Sequence, residues 1–479
     1  MSTSRREILT SSAAMAFAGL ARFAHAEDQA GLTAKGLQAD PYRSEVVGYG
    51  RLKRDPAGLF DLPAGFSYVV VSRAGDPMSD GLLTPHSMDG MGCFAGKGDQ
   101  VILVRNHELK FDDRELSAFG PGRTLAGKVA AEKIYDRTDD GLPLMGGTTT
   151  IVYDLKTRRT ESSWLSLAGT THNCAGGRTP WGSWLSCEEV LQAKGVEVGK
   201  DHGYVFEVPS ASKGLVDPVP LTAMGRFRHE AVAIDPRTGI AYLTEDMGDG
   251  FGLFYRFLPN DRTKLAAGGR LQALALVEGP DGDVRNWGDA AYWKQGDWRD
   301  VKWVDLDGVD NPYEDLRYRG RAKGATWFAR GEGVFFGKDE LYFACTSGGP
   351  NAGGQIMRYR PSASEGQPGE GDSPGRLQLF CQPTSPQLME MADNIALSPW
   401  GHLIVCEDRI GGVNYLRAVT PQGKIYTLGR VAKPGGGDVA DTSEIAGCCF
   451  SPDGSTLFVN IYTPGTTLAI TGPWGRFKA

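Results

Sequence analysis

The 479-residue sequence lacks several features that mark common kinds of functional site. Its eight cysteines include no Cys-x-x-Cys pair, so zinc-ribbon and thioredoxin-like sites have no support. It shows no Ser-His-Asp pattern and no run of 18 apolar residues, so we expect no transmembrane helix in the mature chain. Its net charge is −7 and it has no basic stripe, which argues against a nucleic-acid-binding surface.

The first 26 residues have the pattern of a twin-arginine export signal. Arg5 and Arg6 precede a short, weakly apolar run over 13–21, and Ala24-His25-Ala26 has the form of a cleavage site. We therefore expect the twin-arginine export machinery to carry the chain to a periplasmic or extracellular location. That route moves proteins that have already folded, which favours a chain that takes up a cofactor before export.

Short alternating apolar segments and 65 glycines indicate an all-β chain, because helical periodicity is scarce. One pattern recurs six times: an apolar arm, a tight turn rich in Pro, Gly and Asp, and a second apolar arm. This pattern is typical of a β-hairpin. The copies occupy residues 91–104, 174–189, 231–245, 333–345, 394–408 and 448–460.

Six repeated hairpins with further strands between them predict a six-bladed β-propeller, because a propeller blade has four strands. We expect a single propeller domain over residues 27–479, with inter-blade insertions. The long, charged stretch 259–325 is predicted to be an insertion over one face. Two stacked β-sandwich domains are the alternative, but they would not explain a hairpin that repeats with a fixed internal offset.

The repeat also predicts which side chains meet at one mouth of the central channel. Both ends of an antiparallel hairpin lie on the same side, so equivalent end residues of all six hairpins share that mouth. Counted outward from each turn, the residues on the first arm are Met91, Cys174, Glu230, Glu332, Asp393 and Ala446. Those on the second arm are Asn106, Glu189, Glu245, Ser347, Asp408 and Ile461. Glu108 and Glu444 lie two residues from equivalent positions and are expected to join them.

Carboxylates gathered in a recessed mouth need compensating positive charge, because like charges a few ångströms apart repel by several kcal/mol. Bound metal ions are the favoured source of that charge. Carboxylate oxygens suit Ca²⁺, Mg²⁺ or Mn²⁺. The thiolate of Cys174 favours a softer or more highly charged ion, such as iron. The mixture predicts more than one metal ion.

Long motifs along the whole chain resemble those of the PhoX-type alkaline phosphatases. They are RNHE at 105–108, NCAGG at 173–177, TPWG at 179–182, CEE at 187–189, RHE at 228–230, ARGEG at 329–333 and LAITGPW at 468–474. The chain is similar to the shorter members of that family. The resemblance implies a six-bladed propeller and a secreted enzyme that hydrolyses phosphate monoesters at a mixed Fe³⁺ and Ca²⁺ site.

The resemblance also implies individual roles, carried over position by position. The implied iron ligands are Cys174, Glu230 and Glu332. Glu189 is an implied calcium or iron ligand, and Asn106 and Glu108 are implied calcium ligands. Arg330 is implied to clamp the phosphate, so Arg330 and Cys174 are the catalytic candidates.

Two other functions stay open on the residues alone. A calcium-dependent propeller lactonase or esterase would use one Ca²⁺ held by Glu, Asn and Asp, and would not need Cys174. A non-catalytic propeller would bind metal without turnover.

Overall fold

The structure is a computed structural model, and it describes residues 42–477 except 196, 280–282, 289–291 and 433–442. The predicted export signal lies outside the described residues. Clustering of contacts places Arg43–Ala479 in one compact unit. Within the described ranges there is one α-helix, α1 (Leu316–Ala322), and no helix has the length and hydropathy needed to cross a bilayer.

Strands dominate the described residues, as the alternating sequence pattern predicts. In chain order they are β1 (Leu52–Lys53), β2 (Phe60–Pro63), β3 (Ser67–Arg73), β4 (Met88–Ala95), β5 (Gln100–His107), β6 (Gly146–Asp154), β7 (Arg159–Thr170), β8 (Asn173–Arg178), β9 (Ser183–Glu188), β10 (Val205–Pro209), β11 (His229–Ile234), β12 (Ala241–Glu245), β13 (Phe254–Pro259), β14 (Gly269–Leu276), β15 (Trp298–Asp305), β16 (Gly331–Phe336), β17 (Leu341–Cys345), β18 (Gln355–Arg360), β19 (Arg376–Cys381), β20 (Ala392–Leu397), β21 (Leu403–Glu407), β22 (Tyr415–Val419), β23 (Ile425–Val431), β24 (Ile445–Phe450), β25 (Thr456–Ile461) and β26 (Thr466–Thr471). Short 3-10 helices lie at Arg114–Leu116, Pro121–Arg123, Ala126–Lys128, Ala131–Lys133, Thr222–Met224, Leu265–Ala267, Glu370–Asp372 and Trp474–Phe477.

Hydrogen bonds group these strands into five antiparallel sheets within the described ranges. Their strand orders are β1-β2-β23-β22-β21-β20, β10-β9-β8, β11-β12-β13-β14-β15-β19-β18-β17-β16, β24-β25-β26-β3 and β4-β5-β6-β7. The nine-stranded sheet joins two meanders through β15, which pairs with both β14 and β19. The stretch 259–325 therefore supplies two strands of this sheet, although we expected it to be an insertion over one face.

All six repeated sequence segments form antiparallel hairpins, which we call the inner hairpins. Their first strands are β4, β8, β11, β16, β20 and β24. Each of these strands packs against the next, and β24 packs against β4, so they form a closed ring. The early strand β3 pairs with the late strand β26 and so joins the two ends of the described chain. The fold is all-β and propeller-like, whereas the count of six blades stays a prediction because the hydrogen bonds define five sheets.

Each inner hairpin has a β-bulge at the same place on its first strand. In β11, His229 pairs with Glu245 and Val232 pairs with Leu243, so two residues of β11 lie opposite one residue of β12. The bulge residues of the six first strands are Asp89-Gly90, Cys174-Ala175, Glu230-Ala231, Glu332-Gly333, Asp393-Asn394 and Ala446-Gly447. A bulge bends its strand and redirects a side chain, and it often lies next to a functional site.

The second residue of each bulge is small or short because neighbouring first strands approach closely at the axis. A Cβ on Gly333 would lie 2.8 Å from the backbone oxygen of Asp393 and 2.9 Å from Cα of Asn394. A Cβ on Gly447 would lie 2.8 Å from Cα of Gly90. These obstacles are backbone atoms, which cannot rotate away as a side chain can.

We predict that Gly333→Ala lowers the free energy of unfolding by about 1–3 kcal/mol, the usual range for an overpacked site. The new methyl group must push apart two first strands at the axis. Gly127→Ala is the matched control, because a Cβ at Gly127 meets no atom within 4 Å. Denaturant unfolding monitored by tryptophan fluorescence measures both, and equal midpoints for the two variants would contradict this account of the axis.

Candidate metal centre

The first bulge residues bring five potential ligands to the axis. They are Asp89, Cys174, Glu230, Glu332 and Asp393, and Ala446 occupies the sixth position. The side chains of Asp89, Cys174, Glu230 and Glu332 are buried, and that of Asp393 is partly buried. The equivalent bulge positions therefore place a thiol and four carboxylates in one ring of side chains.

Ligand atoms in this ring lie close enough to share metal ions. One atom each from Cys174, Glu189 and Glu230 lie within 4.8 Å of one another, as do one atom each from Glu230, Glu332 and Asp393. Glu230 belongs to both groups. The arrangement thus has a thiol-containing group and an all-carboxylate group that meet at one residue.

A second set of acids follows the ends of the second strands. In each inner hairpin, the first-strand residue just before the bulge pairs with a residue near the end of the second strand. The residue that follows this partner is an acid in four hairpins, Glu108, Glu189, Asp246 and Asp408, and it is Thr346 or Tyr462 in the other two. Tyr462 donates a 2.8 Å hydrogen bond to Glu108 Oε2. Glu444 lies two residues before Ala446, and burial followed by the charge of Asp408 raises its pKa well above the usual value. The charge of Asp408 contributes to the raised pKa of both Glu108 and Glu444, which is what side chains that converge would show.

Glu245 has a different environment from the one we expected. Its Oε2 accepts hydrogen bonds from the backbone nitrogen of Leu253 at 2.9 Å and from the Tyr255 hydroxyl at 2.8 Å. Glu188 and Glu407 occupy the equivalent position and likewise accept hydrogen bonds from the backbone of the next strand or loop. The carboxylate of Glu245 thus anchors the start of the next strand, and Asp246 is the residue that joins the mouth.

Asn106 also has a structural environment rather than the expected open one. It lies opposite the bulge of β4, and its Nδ2 donates to the backbone oxygens of Cys174 and Ala175 at 3.1 and 2.6 Å. Its Oδ1 accepts a 2.8 Å hydrogen bond from Trp184 Nε1. Thr244, opposite another bulge, similarly donates to the backbone oxygen of Glu332. Asn106 therefore links neighbouring bulges, and its amide oxygen already has a donor.

Burial and mutual repulsion raise the pKa values of the ring. Burial and then the charge of Glu332 raise the pKa of Glu230 well above its usual value. Burial and then the charge of Asp246 raise the pKa of Glu189 to about 8. Burial, with Glu230 and Glu189 as neighbours, raises the pKa of the Cys174 thiol well above its usual value. Without cations these groups hold protons that metal ions would replace.

Three basic side chains lie among the acids, each paired with a member of the second set. Lys110 Nζ lies 3.6 Å from Glu108, and Arg228 Nη2 lies 2.6 Å from Glu189 Oε1. Arg330 binds Asp246 through two nitrogens, Nε at 2.9 Å and Nη2 at 2.7 Å, and contacts Glu332 at 3.1 Å.

The cations are too few to neutralise the acids around them. The acids are Asp89, Glu108, Glu189, Glu230, Asp246, Glu332, Asp393, Asp408 and Glu444. With the thiol of Cys174, this donor set of oxygens and one sulfur fits hard divalent ions together with an ion that accepts sulfur.

Asp89 and Asp246 are the acids that the sequence repeat misses. In β4/β5, Met88 pairs with His107 nineteen residues on, whereas His229 pairs with Glu245 sixteen residues on. Counting outward from the turn therefore reaches Met91, which packs in an apolar core with Cys93. A better signal is a ligand followed by a small residue, as in Asp89-Gly90 and Glu332-Gly333.

Comparisons with known proteins identify the family and the fold of the chain. The family model described as alkaline phosphatase PhoX matches residues 47–153 and 131–465. Among solved structures, the chain is similar to Pseudomonas fluorescens PhoX in complex with vanadate, a transition state analogue, with 19% identity and a TM-score of 0.63 over 87% of this chain and 97% of that one. It is more distantly similar to a periplasmic gluconolactonase of Pseudomonas aeruginosa, with 13% identity and a TM-score of 0.41 over 87% of this chain and 93% of that one. No curated protein matches the chain.

We predict that the metal-free protein loses stability as pH rises from about 4.5 to about 8. Below that range both states bind protons, and within it the unfolded chain loses them while Glu189, with a pKa of about 8, keeps its proton when folded. Because the native state then binds more protons, the free energy of unfolding falls as pH rises. Thermal unfolding in chelator at pH 5.5 and pH 8 measures this, and a higher melting temperature at pH 8 would contradict it.

Substitution of two buried glutamates separates ligand from anchor. At pH 8 without metal, we expect Glu230→Gln to raise the free energy of unfolding by about 1 kcal/mol or more, because the carboxyl must bind a proton on folding to stay neutral at this site, whereas glutamine is neutral in both states. Glu245→Gln should lower it by about 1–2 kcal/mol, because charge-assisted hydrogen bonds to Leu253 and Tyr255 are lost. Added iron and Ca²⁺ together should raise the melting temperature of Glu245→Gln but raise that of Glu230→Gln far less. The reverse pattern would make Glu245 the ligand.

Proposed function

The chain belongs to the alkaline phosphatase PhoX family, and from that premise we propose that it hydrolyses phosphate monoesters at the mouth of the propeller. The observation that carries the proposal is the buried ring of acids around Cys174, with arginines at its edge. A ring of bare carboxylates would repel a phosphate dianion. The same ring loaded with cations, beside Arg228 and Arg330, would attract it.

We propose that the site holds iron and calcium. Cys174, Glu189 and Glu230 would hold iron, and so would Glu332 and Asp393, whose ligand atoms form a second group with Glu230. The short distances within both groups support this assignment. The proposed calcium ligands are Asp89, Glu108, Asp408 and Glu444. We leave Asn106 and Glu245 out of the set because of their hydrogen bonds. The bound cations would supply Lewis acidity and positive charge toward the phosphoryl oxygens.

Arg330 would bind and orient the phosphoryl group. Its φ of 55° lies in the left-handed region, which a non-glycine residue adopts at a cost. The two hydrogen bonds to Asp246 fix the plane of its guanidinium, while Nη1 has no acceptor among the described residues. A planar, fixed guanidinium suits two-pronged recognition of phosphate oxygens. In-line displacement by water then needs no covalent intermediate on the protein.

Cys174 would act as a metal ligand rather than as a nucleophile. Its sulfur is buried and lies 3.3 Å from the backbone oxygen of His229. Burial and neighbouring carboxylates disfavour the thiolate, so a compensating cation is needed to form it.

The remaining expectations belong to the same proposal. Six first strands that pack in a closed ring support six blades, with the nine-stranded sheet counted as two of them. We propose export by the twin-arginine route to a periplasmic or extracellular location, supported by the motif at residues 4–9 and by family membership. The substrate is proposed to be a small phosphate monoester.

We predict that Cys174→Ala abolishes hydrolysis of an aryl phosphate and lowers the bound iron, while the protein keeps its fold. Cys381→Ala is the matched control, because Cys381 is also buried but packs in an apolar core with Phe380 and Leu388. Elemental analysis and a phosphomonoesterase assay with added Ca²⁺ measure the effect.

Metal content of the wild-type protein also distinguishes the other functions. Iron with several calcium ions and turnover supports the phosphatase, whereas calcium alone with lactone hydrolysis indicates a lactonase. Metal without any turnover indicates a non-catalytic propeller. Full activity of Cys174→Ala would refute the assignment.

A further inference from the structure

Two arginines hold the same position in neighbouring inner hairpins. Arg228 lies two residues before Glu230, and Arg330 lies two residues before Glu332. In the other four hairpins this position holds Ser87, His172, Met391 and Glu444. Both arginine side chains reach solvent, with exposed fractions of 39% for Arg228 and 23% for Arg330. The repeat thus presents two guanidinium groups at one side of the mouth.

Arg228 has hydrogen-bonding capacity that its surroundings do not use. Among the described residues only Glu189 accepts a hydrogen bond from its side chain, through Nη2. Its Nε is buried and has no partner. A guanidinium has five N–H donors, so most of those of Arg228 have no acceptor among the described residues.

The contrast with Arg226, two residues earlier on the same segment, shows what a structural arginine looks like here. Arg226 is buried, and its three nitrogens donate to the backbone oxygens of Asp310, His202 and Asn311. Arg226 therefore ties loops together, whereas Arg228 is half-exposed at the mouth with one partner. Hydrogen-bond donors left unsatisfied in this way are available to a ligand at the mouth.

The two guanidinium groups border the same acids. Glu189, Asp246 and Cys174 each act to raise the pKa of Arg228. Glu332, Asp246 and Glu189 each act to raise the pKa of Arg330. Glu189 and Asp246 thus lie in the range of both arginines, which places the two guanidinium groups on one stretch of the rim.

We propose that Arg228 is a second oxyanion-binding residue, which binds the phosphoryl group of the substrate together with Arg330; this inference rests on the proposed phosphatase function. A phosphate monoester dianion has three terminal oxygens and two negative charges, which two guanidinium groups match. A sulfate monoester carries one charge. Arg228 therefore determines specificity for the doubly charged tetrahedral group.

The test uses the metal-loaded protein and two substitutions, Arg228→Gln and Arg228→Lys. Loss of a charge-assisted, fork-shaped donor should weaken binding of orthophosphate, measured by calorimetry, by about 10- to 100-fold. The KM for an aryl phosphate should rise by a similar factor, with a smaller change in kcat. Lysine should recover part of the phosphate affinity, because it restores the charge without the fork.

Selectivity and a control complete the design. The preference for aryl phosphate over aryl sulfate should fall in Arg228→Gln. Arg178→Gln is the matched control: Arg178 is an exposed arginine at the end of β8, and no described carboxylate forms a salt bridge with it. It should match the wild type in metal content, KM and phosphate affinity.

Each outcome decides between two statements. If the wild type does not hydrolyse phosphate monoesters, the proposed function fails and this inference fails with it. If the wild type is active and Arg228→Gln keeps its phosphate affinity and KM, only the role of Arg228 is overturned. A variant that has lost bound metal or its unfolding transition would assign Arg228 a structural role and also overturn the inference.

Discussion

Repulsion between buried acids at the propeller axis is the constraint on which the other features of the mouth depend. Nine carboxylates and a thiol converge with three basic side chains among them. Burial strengthens each repulsion, because the interior screens charge less than water does. The raised pKa values of Glu230 and Glu189 are the consequence within the protein itself. A fold selected only for stability would not gather these groups, so their presence supports the proposal that cations replace their protons.

The repeated bulge is how the fold meets this constraint. An ordinary strand would alternate its side chains between the two faces of a sheet. The bulge instead turns the first residue of each pair, such as Glu230, toward the other ligands, while a small second residue, such as Ala231, lets neighbouring strands approach. Residues opposite the bulges, including Asn106 and Thr244, then bind the backbone of the next bulge. Ligand placement and strand packing therefore come from one local irregularity that recurs in all six inner hairpins.

Local signals in the sequence predict the hairpins and most of the candidate ligands. The remaining candidates depend on the pairing register of the strands. Alternating arms and turn residues are local, so all six hairpins and the ligands Cys174, Glu230, Glu332 and Asp393 could be inferred directly. The first inner hairpin is longer than the others, so counting outward from its turn reached Met91 and missed Asp89. The β11/β12 hairpin is one residue longer than β8/β9 and β20/β21, so the count stopped at Glu245 instead of Asp246. Neither shift is visible in one sequence, because both depend on which backbone groups pair across the sheet. The same holds for β15, which joins two meanders by long-range pairing.

The sixth inner hairpin shows that the six bulge positions do not all have a side chain that could bind a metal ion. Ala446 occupies the bulge position where the other hairpins have a candidate ligand, and Glu444, two residues earlier in the sequence, lies in range of the charge of Asp408. The thiol of Cys174 lies on another part of the ring, with Glu189 and Glu230. Sulfur prefers a softer or more highly charged ion, whereas carboxylates alone suit hard divalent ions. Because these donor types occupy different parts of one ring, the backbone repeat itself can sort two kinds of cation. Arg228 pairs with Glu189 of the thiol-containing group, whereas Arg330 contacts Glu332 of the all-carboxylate group, and the two groups meet at Glu230. If Glu189 and Glu332 hold iron as proposed, both arginines would bind a phosphoryl group beside the more highly charged ion, where the ion and the guanidinium groups attract it together.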